Sequence, residues 1–326
     1  FDSIGQECLA VRQKVGLIDF TSFAKWEVTG SGALSFLERS LANWMPNCNG
    51  RATLAHALDK TGRFLSEYVV ARLSKNHFYI CGPAFSENHD EDVLKSRISP
   101  EDNVAITNVT MGLGCFTVVG PNARKMLSCV VDGSLENNCF GWFGVQEREV
   151  GWATNIRLIR VNYCGELGWE LHHPIAYQHY IFDLLEGVGK DFGLRHVGFR
   201  ALDSLRIEKS YRAVGQELTS QIMLNEVGLD RFIGSKKSNF IGYKGIMANF
   251  HKQVRQLVTM QVFCNDSGVE PAMNQLVRSG EEAIALTTSG SYGHYLKKHL
   301  AMAIVPNKFA VEGTSLTVEI LDKRYD

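Results

Sequence analysis

The spacing of apolar positions changes period several times along the chain, and each change marks an element. Residues 7–16 (Glu-Cys-Leu-Ala-Val-Arg-Gln-Lys-Val-Gly) read as a helix closing at a Gly cap. Trp26 and Val28 run into Gly30 as a strand and a turn, and residues 33–42 follow as a helix with Leu34, Leu37 and Leu41 on one face. Residues 156–162 alternate as a strand, and Glu170-Leu171-His172 begins another short element. Residues 175–193 read as a long amphipathic helix carrying Tyr177, Tyr180, Phe182, Leu184 and Leu185. Residues 201–211 read as a second helix, with Leu202, Leu205 and Ile207 apolar and Asp203, Arg206, Glu208 and Lys209 polar. On this pattern Arg206 and Glu208 belong to a network on the helix surface.

Beyond Gln253 the period becomes that of strands: residues 258–263, 275–277, 283–286, 300–305 and 315–320 are short apolar runs divided by Gly and Asn turns. This predicts a small all-β barrel or sandwich, with a boundary near residues 245–253. An internal echo appears earlier. Val28-Thr29-Gly30-Ser31-Gly32-Ala33 through Leu37 has the form V-x-G-x-x-A-x-x-x-L, and so does the segment from Val118 through Gly120 and Ala123 to Leu127. A strand, a tight Gly turn and a helix start fit both, which suggests two α+β units of similar build.

Composition narrows the function classes. A length of 326 residues implies two or three packed units. A net charge of −1 gives no basic excess for nucleic acid, and no apolar run approaches the roughly 18 residues of a membrane span. The sequence opens at Phe1 without an initiator Met and closes soon after a strand-like run. Both ends therefore read as cuts through a longer protein, which leaves a targeting signal open. The cysteines form no CxxC pair and several sit in apolar runs, such as Phe78-Tyr79-Ile80-Cys81. They read as buried free thiols of a reducing compartment, the bacterial cytoplasm or the mitochondrial matrix. The sequons Asn108-Val109-Thr110 and Asn265-Asp266-Ser267 are then chance matches.

Several chemistries lack their signatures. His172 and His173 point apart on a strand, and without an HxxxH or CxxC pair no metal is expected. Gly30-Ser31-Gly32 begins like a dinucleotide fingerprint but has Ser35 at the third glycine position, so this chain is not expected to bind FAD or NAD that way. No G-x-S-x-G elbow frames a nucleophile. The strongest local signal is Tyr163-Cys164-Gly165-Glu166-Leu167-Gly168-Trp169-Glu170. A turn at Gly165 and Gly168 would bring Tyr163 near Glu170. A carboxylate suits a heterocycle with adjacent N–H donors, such as the amino-pyrimidinone edge of a pterin, and aromatics offer it flat surface. A hairpin turn with exposed acids is the plainer alternative.

Tyr163 to Glu170 fits Y-x-G-E-x-G-[FWY]-E, a signature of the glycine-cleavage T-protein (aminomethyltransferase) family. The opening Glu7-x-Leu9-Ala10-Val11-Arg12-x-x-Val15-Gly16-Leu17-Ile18-Asp19-Phe20-Thr21 is similar to that family too. So, in order, are Val28-x-Gly30-x-x-Ala33, Val119-Gly120-Pro121, Leu205 to Lys209, Glu226-x-Gly228-Leu229, Phe240-Ile241-Gly242 and Thr288-Ser289-Gly290. The series resembles most closely the folate-binding C-terminal region of dimethylglycine and sarcosine dehydrogenases. The resemblance implies an α+β fold: a three-subdomain cloverleaf of ferredoxin-like α/β units with a C-terminal β-barrel. Residues 1–250 would form the folate-binding region, as two interleaved subdomains (1–48 with 128–245, and 49–127), and 251–326 the barrel.

It also implies tetrahydrofolate in the central opening, with Tyr163 and Glu170 holding the pterin and Tyr211 and Leu54 nearby. An acidic residue after the Gly62 turn would face N5 and N10. T-proteins carry an Asp-Asp pair there, whereas this chain reads Gly62-Arg63-Phe64-Leu65-Ser66-Glu67, more like dimethylglycine dehydrogenases. Glu67 is then the candidate catalytic acid, with an exposed strand Glu as the alternative. Leu54 stands where T-proteins place a Tyr, and Leu202 where they place an Arg. The implied function is to accept a one-carbon unit from oxidative N-demethylation of a methylated glycine-type amine, giving 5,10-methylene-tetrahydrofolate. FAD would sit only in a domain outside this chain, in cis or in a partner. Two alternatives stay open: a non-catalytic regulatory member like the pyruvate dehydrogenase phosphatase regulatory subunit, and a stand-alone folate-dependent aminomethyltransferase or demethylase.

Overall fold

The computed structural model describes residues 2–264 and 268–326, so the sequon Asn265-Asp266-Ser267 lies outside the described residues. The chain forms two compact units. The first comprises Phe1–Ala57, Ser66–Gly198 and Phe232–Ile241, and the second Leu58–Leu65, Phe199–Arg231 and Gly242–Asp326.

The first unit holds helices α1 (Asp2–Gln13), α2 (Ala33–Ser40), α3 (Glu87–Lys95), α4 (Ala123–Leu127) and α5 (Gln178–Gly189). Its strands are β1 (Val15–Asp19), β2 (Ala24–Thr29), β3 (Arg51–Leu58, without Leu58), β4 (Phe64–Ser74, from Ser66), β5 (His77–Gly82), β6 (Ala105–Asn108), β7 (Leu113–Val119), β8 (Val145–Val150), β9 (Ala153–Ile159), β10 (Gly168–Pro174) and β11 (Leu194–His196). They make two sheets, ordered β11-β1-β7-β10-β9-β8 and β3-β4-β5-β2-β6. On β10, alternation decides what goes where. Trp169 and Leu171 enter a core with Val118, Leu158, Met126 of α4 and Ile181 and Leu185 of α5. Each such burial contributes about 1.5–3 kcal/mol. The residues between them, Glu170 and His172, are left for the other face of the sheet. That face meets the second sheet, where Ala71, Tyr79 and Cys81 pack with Val145 and Ile159.

The echo seen in the sequence is real geometry. β2 and β7 each end at a glycine with positive φ, +122° at Gly30 and +132° at Gly120, and each turn opens a helix, α2 or α4. At Gly120 a Cβ would come within 2.6 Å of the Lys14 carbonyl oxygen, a backbone atom that cannot swing away. Gly120→Ala is therefore expected to cost at least about 1–3 kcal/mol. Denaturant unfolding checks this, and a loss under a few tenths would contradict it.

The second unit holds α6 (Phe199–Glu208), α7 (Tyr243–Asn249) and strands β12 (Arg255–Val262), β13 (Leu276–Ser279), β14 (Glu282–Gly293), β15 (Lys298–Pro306), β16 (Thr317–Ile320) and β17 (Lys323–Tyr325). They form one antiparallel sheet, β12-β15-β14-β13-β16-β17, cored by Val262, Val277, Ala301, Ala303, Val305, Val318 and Ile320. Each strand run read from the sequence after Gln253 finds its strand.

Three local readings are corrected. The first helix ends at Gln13, and Gly16 lies inside β1 rather than at a cap, because Val15, Leu17 and Ile18 bury as a strand. The 175–193 helix is α5 flanked by short 3-10 turns, the second closing at Gly193 with φ +71°. Arg206 is not on a helix surface. It is 1% exposed, and its Nη1 lies 2.9 Å from a carboxylate oxygen of the fully buried Glu217. Its partner comes from eleven residues along the chain, which helical spacing does not display.

Candidate functional site

The motif loop is built around Asn162. Its Oδ1 accepts the N–H groups of Cys164 and Gly165, and its Nδ2 donates to the Glu166 carbonyl at 2.6 Å. Gly165, at φ +70°, makes the turn. Gly168 does not: it starts β10, where a Cβ would lie 2.8 Å from the Val118 carbonyl. The two motif carboxylates divide here. Glu166 is tied to Arg12 at 2.9 Å, and Arg12 also donates to the Cys164 carbonyl. Glu170 points instead to the face between the two sheets, and Tyr163 stays half-buried in the loop.

Around Glu170 the register of β7 and β10 assembles a polar group. Cys115 lies opposite His172 and Thr117 opposite Glu170, so all four side chains share one face. His172 Nε2 lies 3.1 Å from Glu170 Oε2 and 3.7 Å from Cys115 Sγ, and Tyr79 Oη lies 3.0 Å from His172 Nδ1. Burial holds the Tyr79 phenol well above its usual range, so it keeps its proton and donates to Nδ1. Burial also lowers the pKa of His172, so the neutral ring donates from Nε2 to Glu170. Lys25 on β2 faces the same interior. Burial lowers its pKa, partly offset by Cys115, Cys81 and Glu170, and its Nζ donates to the carbonyls of Thr21 and Phe23.

Cys115, Glu170 and His172 each present a donor atom within 4.8 Å of the others, a set able to take a divalent cation. Sequence spacing could not display this set, because it arises from pairing across strands. Beside it, the Lys25 ammonium already supplies positive charge facing Cys115 and Glu170. The cysteines also divide more than the sequence suggested: Cys8, Cys81, Cys115 and Cys164 are buried, but Cys48, Cys129 and Cys139 are exposed. Burial pushes the Cys81 thiol up to about 12.

Glu67 lies on β4, where Ser66, Tyr68 and Val70 are buried and Glu67 and Val69 are half-buried. Val69 pairs with Cys81 and Ala71 with Tyr79, so Glu67 belongs to the sheet face that carries Tyr79 and Cys81. Its Oε2 lies 2.9 Å from Nε2 of the fully buried His56 on β3. Leu54, two residues before His56, shares that side of β3. Glu67, Leu54, Tyr163 and Glu170 thus all belong to the first unit. Tyr211 is in the second, just after α6, with its N–H donating to the Arg206 carbonyl. A concavity of about 520 Å³ lined by Leu34, Glu38, Trp44, Met45, Arg51 and Arg72, among others, holds none of these residues except that Thr53 beside Leu54 reaches it.

Residues 1–237 match the family described as GCVT N-terminal domain, and residues 255–326 match the glycine cleavage T-protein C-terminal barrel domain. The chain belongs to the glycine cleavage T-protein family, whose members bind tetrahydrofolate. It is 31% identical over its whole length to human mitochondrial dimethylglycine dehydrogenase, of which it spans 37%. It is 27% identical over 99% of its length to an aminomethyltransferase from Thermoanaerobacter sp. (strain X514), of which it spans 87%. The fold matches the glycine cleavage system aminomethyltransferase T from Bartonella henselae with a TM-score of 0.87, at 23% identity and covering 99% of this chain and 86% of that one.

Glu170 offers the kind of acceptor that a ring with adjacent N–H donors takes. The Glu170 carboxylate is 13% exposed, with Oε2 held by His172 and Oε1 placed to accept an N–H. Opposite it, Thr117 Oγ1 is fully buried and has no hydrogen-bond partner among the described residues.

Proposed function

We propose that this chain binds tetrahydrofolate in its first unit and accepts a one-carbon unit from oxidative N-demethylation of a methylated glycine-type amine. The observation that carries the reading is Glu67, a carboxylate 20% exposed and held 2.9 Å from His56, which the resemblance to the T-protein family reads as its acid. Tetrahydrofolate supplies the two N–H groups that take up a formaldehyde-level carbon as a methylene bridge, the two hydrogens and the oxygen leaving as water. Glu170 fixes the pterin edge through charge-assisted hydrogen bonds, with Tyr163 as flat surface. Glu67 gives a proton to the departing oxygen and takes one back from nitrogen, ending as it began. Oxidation of the amine belongs to a flavin domain outside this chain, in cis or in a partner. The match of the whole chain to 37% of human dimethylglycine dehydrogenase supports this branch. A stand-alone aminomethyltransferase is the second reading, favoured by the 87% of the Thermoanaerobacter aminomethyltransferase that the chain spans.

The test is Glu67→Gln, assayed with the flavin-bearing demethylase that supplies the carbon. The variant is expected to divert carbon from 5,10-methylene-tetrahydrofolate to free formaldehyde, while folate affinity stays within about threefold, because Glu67 acts on the reacting carbon and not on the pterin. Product formed at the wild-type rate would remove the acid role.

A further inference from the structure

Glu67 is held by a second residue that the family motifs do not include. His56 on β3 is completely buried, and its Nε2 lies 2.9 Å from Glu67 Oε2. The imidazole is fixed on other sides as well. Its ring meets Phe232 edge-on, with centroids 6.0 Å apart, and its main-chain carbonyl accepts the Ala42 N–H at 2.9 Å. The neighbours of Glu67 on its own face, Val69 and Ala71, offer no donor, and neither do Ala55 and Ala57, which flank His56 in the chain. A Glu side chain has three rotatable bonds, and holding it in one orientation costs conformational entropy that a fixed partner offsets.

We propose that His56 is a positioning residue for Glu67. Its Nε2–H donates to Oε2, which turns Oε1 towards the bound ligand and sets the carboxylate where protons are exchanged. The inference rests on the reading of Glu67 as the acid. It adds that the acid works as a pair with His56, and that Leu54, on the same side of β3, lies in the wall this pair belongs to. The plainer account is a core histidine that Glu67 merely satisfies. The two differ in what a donor without a ring accomplishes: an amide N–H orients the carboxylate as well as an imidazole does, but fills the core less well.

The experiment is a double-mutant cycle of His56→Leu, His56→Gln and Glu67→Gln in the complete protein. Three quantities are read: the partition of carbon between free formaldehyde and 5,10-methylene-tetrahydrofolate, tetrahydrofolate affinity by calorimetry, and the ring-nitrogen NMR spectrum of His56 in the wild type. His56→Leu is expected to lower methylene-tetrahydrofolate formation about tenfold with folate affinity within about threefold, and His56→Gln to restore most of it. His56→Leu should add nothing in the Glu67→Gln background, since residues acting as one unit are not additive. The spectrum should place the proton on Nε2. If Glu67→Gln is impaired but His56→Leu is not, or if His56→Gln fails as badly as His56→Leu, the positioning role is wrong and the acid reading stands. A silent Glu67→Gln overturns both. A ring proton on Nδ1 overturns the proposal even where His56→Leu does not fold.

Discussion

Arg206→Met is expected to destabilise the second unit by about 3–5 kcal/mol, because it leaves the Glu217 carboxylate buried and uncompensated. The guanidinium is 1% exposed and is held on several sides. Nε bonds Asp203 at 2.7 Å, Nη1 bonds Glu217 at 2.9 Å and the Tyr211 carbonyl at 3.0 Å, and Nη2 bonds Ser289 Oγ at 2.6 Å and also Gln216. Glu217 in turn accepts from the Ala213 N–H, Thr288 Oγ1 and Ser289 Oγ, so the pair joins α6 to β14 and to the loop after α6. Apolar replacement of one partner alone strands the other. Replacing both, as Arg206→Met with Glu217→Leu, should recover a large part of the loss. Hydrogen exchange of β14 and β15 amides reports the unit directly. Arg206→Met should speed them at least about a hundredfold, while a change of less than about fivefold would mean that the network contributes little.

Glu170→Gln is expected to weaken tetrahydrofolate binding about tenfold or more, since a carboxylate bond to an N–H donor contributes roughly 1.5–3 kcal/mol. The substitution keeps the shape and still accepts from His172 Nε2, so the fold should survive, and a melting curve checks this. It also removes a negative charge that faces the buried Lys25 ammonium, so some loss of stability is expected beside the loss of affinity. The two effects separate because affinity is measured on folded protein. Equal affinity for both proteins by calorimetry would take Glu170 out of the site.

What the sequence displayed, and what it hid, follows from where partners lie along the chain. The Tyr163–Glu170 segment was legible because its residues are contiguous, and Gly30 and Gly120 because a positive-φ turn before a helix leaves a short signature. The barrel strands were legible from alternation and turn residues. Cys115 and Thr117 were not, since only the β7–β10 register puts them opposite His172 and Glu170. His56 was hidden for the same reason: it meets Glu67 across the β3–β4 pair. Arg206 was misread because a polar side chain at helical spacing looks solvated, and the buried Glu217 that pairs with it lies outside the helix. Gly16 was misread because a glycine after a helical run looks like a cap, whereas here it lies in β1 with the Val11 and Val197 methyls 2.7 Å from where a Cβ would be. Local patterns displayed elements and the linear motif, and the non-local pairings that finish the site needed the fold.

The central claim is that the first unit holds a reduced folate through Glu170, and the most direct measurement is calorimetric titration of the wild-type chain with tetrahydrofolate, alongside the melting temperature with and without it. The account predicts a single saturable site and a melting temperature that rises with ligand concentration, as mass action requires of a ligand bound only by the folded state. A flat titration with an unchanged melting temperature would contradict it.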